Sequence, residues 1–266
     1  MSNAQSYKFL FLCFSIWLVV CFSACEELAD EPGAPKYLEK IVIDALANDR
    51  DSVFKVYLTK TRAINDTSKQ QFISGAQVKL YDYDKNSEYL FTDSLETYKL
   101  QYRFKSGKKY RLSIVYQNTS YEADATVPLP IKIDSVLLEA VVNEKNMYYI
   151  TFYMPKASQS QTNYYLVNYY KNHQRFYQYN LFDDQFLTYM AMPFTINGSK
   201  NDTAKVEVHV ISRSFFDFYN NMTLNKENDG LMFVNNLKYN APSNFSNGAL
   251  GYFHISSMDW KEVVVR

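Results

Sequence analysis

The sequence predicts an all-β protein built as two tandem β-sandwich domains, the second with one short α-helix. Three observations predict it. From Tyr37 onward, apolar and polar residues alternate in short runs, the period of a half-buried strand. Tyr and Phe, which suit pleated, half-buried surfaces, number 24 and 19 against 2 Trp. A proline pair, Pro128 and Pro130 in "VPLPIKIDSV", interrupts the pattern near mid-chain; proline cannot donate to a ladder and forces extended neighbours.

The first sandwich is placed at residues 37–127. "EKIVIDALA" sets Ile41 and Ile43 on one face. "SVFKVYLTK" puts Phe54, Val56 and Leu58 on one side and Val53, Lys55, Tyr57 and Thr59 on the other. "AQVKLYDYD", "YKLQYRF", "KYRLSIVYQ" and "SYEADATV" follow, with tight connections at 106–110 and 117–121. Six or seven short strands over about 90 residues read as a sandwich. A Pro-bounded joint spans 128–133. The second sandwich, 134–266, contains "DSVLLEAVV", "MYYITFYMP", "NYYLVNYYK", "RFYQYN", "KVEVHVIS", "ALGYFHISS" and "WKEVVV". Within it, Phe215, Phe218, Tyr219 and Met222 fall at i, i+3, i+4 and i+7, one helical face, which predicts a helix near 213–223. Ser214 with Asp217 resembles a capping box. Glycine numbers only seven, so Asn and Asp are expected to supply turns. Asn-Gly at 197–198 and 247–248 and Asp-Gly at 229–230 are turn signals. Both halves are read as Ig-like/prealbumin-like sandwiches.

The N-terminus has a separate character. Lys8 precedes the uncharged run "FLFLCFSIWLVVCFS", Phe9 to Ser23. At roughly 15 residues it is short of the ~20 that a membrane-crossing helix requires. A positive start, a short apolar centre and small residues at the end form a secretory signal peptide, placed at 1–24. The cysteines are Cys13, Cys21 and Cys25. After cleavage only Cys25 remains, at the new first position, so no internal disulfide can form. "FSAC" resembles the lipobox of bacterial lipoproteins, with Phe22 where Leu is usual. The resemblance implies acylation of Cys25 on its sulfur and its new amine. Buried methylenes contribute about 0.8 kcal/mol each, and several chains anchor firmly where one does not. "CEELADE" next to the membrane resembles the acidic signal, here Glu26 and Glu27, that sends Bacteroidota lipoproteins to the cell surface. An acidic, flexible tether is placed at 25–36, ending in "DEPGAPK".

The order of parts carries a wider resemblance. A lipoprotein cysteine precedes "ISGAQVKLYDYDKNSEYLF", then "FKSGKKYRLSIVY", "PLPIKIDSV" and "NFSNGALGYFHISS". This resembles a Bacteroidota outer-membrane lipoprotein family with domain of unknown function 4249. The likeness covers nearly the whole mature chain. Members are typically encoded beside TonB-dependent transporters, which implies an accessory subunit outside the cell; the family offers no catalytic residues to carry over. Ala249 interrupts the glycine-richer form of the ending, so Gly248 and Gly251 receive no functional role.

Chemistry-bearing patterns are few. Formal charge is +0, and loss of Lys8 leaves −1, so no basic excess points to nucleic acid. His173, His209 and His254 lack metal-ligand spacing and are read as surface or edge residues. No nucleophile elbow, phosphate loop or dinucleotide fingerprint occurs. "DYDKNSE" sets Asp82, Asp84, Asn86 and Glu88 at alternate positions like an EF-hand start, yet Ser87 and Asp93 stand where Gly and Glu belong. It is read as a polar hairpin tip. Asp51-Ser52-Val53, Asp93-Ser94-Leu95, Asp134-Ser135-Val136 and Asp202-Thr203-Ala204 resemble Bacteroidota O-glycosylation signals. In "NYYLVNYYK" neighbouring aromatics must point to opposite faces. Tyr164, Tyr165, Tyr169 and Tyr170 are therefore either covered on both faces or contacts for a partner or ligand. The expectation is a non-enzymatic, cofactor-free lipoprotein of the outer membrane that captures ligand for, or docks on, a TonB-dependent transporter barrel. The alternatives are an independent glycan-binding or adhesive module and a structural part of outer-membrane assembly or secretion machinery.

Overall fold

A computed structural model describes residues 38–62, 67, 69, 71–156, 161–175, 180–185, 189–228 and 241–265. The signal peptide, Cys25, Glu26, Glu27 and the tether lie outside the described residues. So does the Asp-Gly at 229–230.

The chain is all-β with one helix among the described residues. The first half supplies β1 (Ile41–Asn48), β2 (Val53–Lys60), β3 (Gln77–Asp82), β4 (Ser87–Leu90), β5 (Thr92–Asp93), β6 (Tyr98–Gln101), β7 (Lys109–Tyr116) and β8 (Thr119–Thr126). The second supplies β9 (Ser135–Ala140), β10 (Met147–Pro155), β11 (Tyr164–Lys171), β12 (Gln174–Arg175), β13 (Asn180–Asp183), β14 (Tyr189–Asn197), β15 (Thr203–Ile211), α1 (Arg213–Asn228) and β16 (Leu250–Val264). Burial alternates along them as the sequence implies: Phe54, Val56 and Leu58 are inside, with Lys55 and Tyr57 outside.

A nine-stranded sheet runs β12-β11-β15-β16-β1-β2-β6-β5, with β13 also on β11. One of its faces packs against two smaller sheets, β4-β3-β7-β8 and β14-β10-β9. Two apolar cores result. The first joins Ile43, Phe54 and Phe253 to Leu80 and Leu112. The second joins Tyr165, Val206 and Val208 to Ile150 and Phe152. Each fully buried side chain of this size contributes about 1.5–3 kcal/mol, more than any turn or surface ion pair.

The sequence boundary at 128–133 separates the two small sheets, but the large sheet crosses it. Runs read separately as "ALGYFHISS" and "WKEVVV" form one 15-residue strand, β16. Its first part pairs in parallel with β1, Val42↔Leu250 to Asn48↔Ser256. Its second part pairs antiparallel with β15, Thr203↔Val264 to Val210↔Ser257. Phe253 and Ile255 enter the first core, and Val265, just beyond, enters the second. The stretch from Glu39 onward is accordingly one compact unit. The joint packs in place: Ile131 and Ile133 lie in the second core, and the Ile133 N–H donates to Asp259 on β16 at 2.9 Å.

The family-like ending has a structural explanation. The Asn244 side chain makes both backbone hydrogen bonds to Phe253, at 2.8 and 2.9 Å, as a missing strand would. Ser246 and Asn247 bond β8. Gly251 has φ 96, and a Cβ there would lie 2.0 Å from the Ile43 carbonyl oxygen, so only glycine admits the parallel β1 pairing.

Asn supplies many turns. Of ten non-glycine residues with positive φ among the described residues, seven are Asn. Gln117-Asn118 and Asn172-His173 close two-residue hairpins with both central residues left-handed, the type I′ pattern. Asn247-Gly248 is left-handed at both positions, whereas Asn197 ends β14 without that conformation.

The helix differs in its start. Ser212, not Ser214, is the N-cap: its hydroxyl accepts the Phe215 N–H at 3.2 Å, and its carbonyl accepts that of Phe216 at 2.9 Å. A box on Ser214 is two residues out of phase, because the helix begins at Arg213 and Ser214 already lies within it. Phe215 and Phe218 are buried on Tyr252 and Ile211, while Met222 is exposed.

Candidate functional site

The outer face of the nine-stranded sheet carries polar side chains that strand alternation places there. Val206, Val208 and Val210 point into the core, so Lys205, Glu207 and His209 face outward. Glu207 accepts the Tyr170 hydroxyl at 2.7 Å and pairs with Lys205 at 2.5 Å. Lys205 also lies over the rings of Tyr170, at 5.2 Å, and Trp260, at 5.0 Å. Burial opposes ionisation of Glu207, but the hydrogen bonds from Lys205 and Tyr170 outweigh it and hold its pKa at about 2. Tyr170 is correspondingly raised to about 12, by burial and then by Glu207.

A second chain of hydrogen bonds continues the network. Arg175 donates to Asn168 Oδ1. Arginine can only donate, so the Asn168 amide presents its nitrogen to His209 Nε2, 3.3 Å away. His209 Nε2 thus accepts, and Nδ1 donates to Ser256 Oγ at 3.0 Å. Ser256 in turn donates to the Ala47 carbonyl at 3.3 Å.

Two depressions open on the same face and share Leu46 and Ala47. The larger, about 760 Å³, lies over β1, β2 and β6, with Asp44, Lys55, Tyr57, Lys99 and Gln101 in its walls. Asp44 is open to water yet surrounded by protein, and that desolvation raises its pKa. The smaller, about 210 Å³, lies between β1, β11, β15, β16 and α1. Its walls include Asn168, Arg175, His209, Ser256 and His254. The His254 ring stacks on Phe215, 4.1 Å between centroids and 6° apart. Its Nε2 is buried and has no hydrogen-bond partner among the described residues. Burial holds His254 neutral, with a pKa of about 3.

The histidines expected at surface or edge positions therefore divide. His173 is exposed in its turn, His209 is half-buried in the network, and His254 is 4% exposed, because α1 covers the β16 face that alternation alone leaves open. The tyrosine block divides as well. Tyr165 and Tyr169 are core residues at 0% and 3% exposure, which corrects their candidacy as partner or ligand contacts: their face is the one turned to β10 and β14. The Tyr165 hydroxyl donates to buried Asp184 at 2.8 Å, beside Asn163 and Lys156. Tyr164 packs on Phe216 of α1, ring centroids 5.2 Å apart. Tyr170 is half-buried within the Glu207 network and remains on the open face.

The "DYDKNSE" carboxylates do not converge. Asp82 is buried, accepts the Asp84 and Lys85 N–H groups and the Tyr102 hydroxyl, and forms an Asx-type turn. Asp84 pairs with Lys108, and Glu88 with Lys79 at 3.1 Å. Among the described residues no group of three or more potential metal ligands forms. Of the Asp-Ser/Thr triplets, Ser52 and Ser135 are exposed, whereas Ser94 and Thr203 are half-buried.

Sequence reasoning missed the grouping of Asn168, Arg175, His209, His254 and Ser256. Alternation within "NYYLVNYYK" and "KVEVHVIS" places Asn168 and His209 outward. Their meeting depends on the Leu166↔His209 and His209↔Met258 registers, which no local signal encodes.

The family model described as "Domain of unknown function (DUF4249)" matches residues 30–262. No curated protein matches the chain.

Proposed function

The chain belongs to the DUF4249 family, and from that premise we propose that it is a non-enzymatic lipoprotein of the bacterial outer membrane, accessory to a TonB-dependent transporter. Acyl chains on Cys25 hold it to the membrane, the tether of residues 25–36 spaces it, and the β body faces outward. The sequence around Cys25 supports the anchor, and the neighbours of the resembled family support the transporter.

The observation that carries a capture role is the open outer face. A depression of about 760 Å³ there is lined by acid, base, amide and phenol groups, the donor and acceptor variety of a polar binding surface. Lys205 and Glu207, elsewhere on the same face, are already paired, which suits holding geometry more than turnover.

Affinity purification of the tagged chain from detergent-solubilised native membranes tests the proposal. A TonB-dependent barrel in the eluate is the expected result; an eluate without any such barrel contradicts it.

A further inference from the structure

The larger depression is polar and open, but the smaller one has the composition of a defined small-molecule site. At about 210 Å³ it is below the roughly 300 Å³ at which drug-sized pockets begin, so its occupant is small. One side is apolar, from Leu46, Leu166, Ile211 and Phe215. The polar side has amide, hydroxyl and imidazole groups and a single formal charge, the Arg175 guanidinium at the exposed rim.

Charge balance narrows the occupant. No acidic residue lines this cavity among the described residues. Arg175 donates to the Asn168 amide and forms no ion pair among the described residues. The nearby carboxylate, Glu207, has one oxygen on Lys205 and the other on the Tyr170 hydroxyl, and lies 3.9 Å from His209 Nε2. The site is therefore cationic at its rim and neutral within.

The Nε2 of His254, without a partner among the described residues, is the second observation. A buried polar atom without a partner carries a desolvation cost that packing does not return, and such atoms in native structures call for an explanation. A phenylalanine at this position keeps the stack on Phe215 without that cost.

We infer that this cavity binds a small monocarboxylate with an apolar body, its carboxylate held by Arg175 and by an N–H at His254 Nε2, and its body against Leu166, Ile211 and Phe215. The Asn168–His209–Ser256 chain positions the wall. The inference stands on the cavity itself and not on transporter docking. Absence of a barrel from a pull-down leaves it intact, and its own failure leaves docking intact.

Isothermal titration of the full chain in non-ionic detergent with acetate, hexanoate and phenylacetate tests it, with 2-phenylethanol as the uncharged comparison. Saturable binding of hexanoate or phenylacetate, at least about tenfold tighter than the alcohol, is expected. Arg175→Gln weakens it by about tenfold or more. His254→Phe weakens it similarly, yet melts at an equal or higher temperature, a combination that a purely structural histidine does not give. No saturation by any of the acids up to about 10 mM overturns the inference. So does equal binding of the alcohol, or unchanged binding in His254→Phe. Should His254→Phe not fold, Arg175→Gln, altered at an exposed position, decides alone.

Discussion

At the residue scale, Glu207 shows how a charged group is accommodated on a sheet face. Its side chain is 13% exposed, and its two oxygens are held by Lys205 and Tyr170. A folded pKa of about 2 against an ordinary 4.5 means that ionised Glu207 stabilises the fold. That contribution is fully present above pH 4.5 and disappears as pH falls toward about 2. Its upper limit is about 3 kcal/mol, shared across the network. Urea unfolding should show stability declining between about pH 5 and pH 2 in the native protein, and a flatter profile in Glu207→Gln, which is also the less stable at neutral pH. An identical acid profile in the two proteins contradicts this reading. Sequence alternation was enough to put Glu207 and His209 outside. It could not give Asn168, Ser256 or Arg175 as their neighbours, because cross-strand register is set by distant turns and by Gly251.

At the element scale, the helix and β14 illustrate two kinds of legibility. The i, i+3, i+4, i+7 aromatic stripe located α1 and its buried face, since periodicity survives small errors in boundary. The cap did not survive them: Ser212 and Ser214 are both plausible from spacing, and only hydrogen-bond geometry selects Ser212. Ser212→Ala should cost about 1 kcal/mol in chemical denaturation, and Ser214→Ala only a few tenths; equal losses would argue against the assigned cap. Strand β14 gave no clear sequence signal, because Pro193 interrupts its run. It is a strand because it lies at the edge of β14-β10-β9, where a residue without an N–H is tolerated; Pro193 sits opposite Thr151. Its Met190 and Ile196 are part of the second core.

At the scale of the whole molecule, composition and alternation were sufficient for an all-β sandwich, and the prolines for a change of small sheet. The shared large sheet was not legible, since the parallel β1–β16 pair joins residues some two hundred positions apart. Because β16 enters both cores, loss of one removes its support from the other. Differential scanning calorimetry should give one cooperative transition for the body. Two well-separated transitions would mean that the cores unfold independently.

The proposed role requires that the chain be held at the membrane, and the proposed anchor depends on Cys25 alone. Metabolic labelling with an alkyne analogue of palmitate in the native host is the direct measurement. Label on the wild-type chain and none on Cys25→Ser is the expected result. A wild-type chain that takes up no label contradicts the proposed anchor and the role built on it.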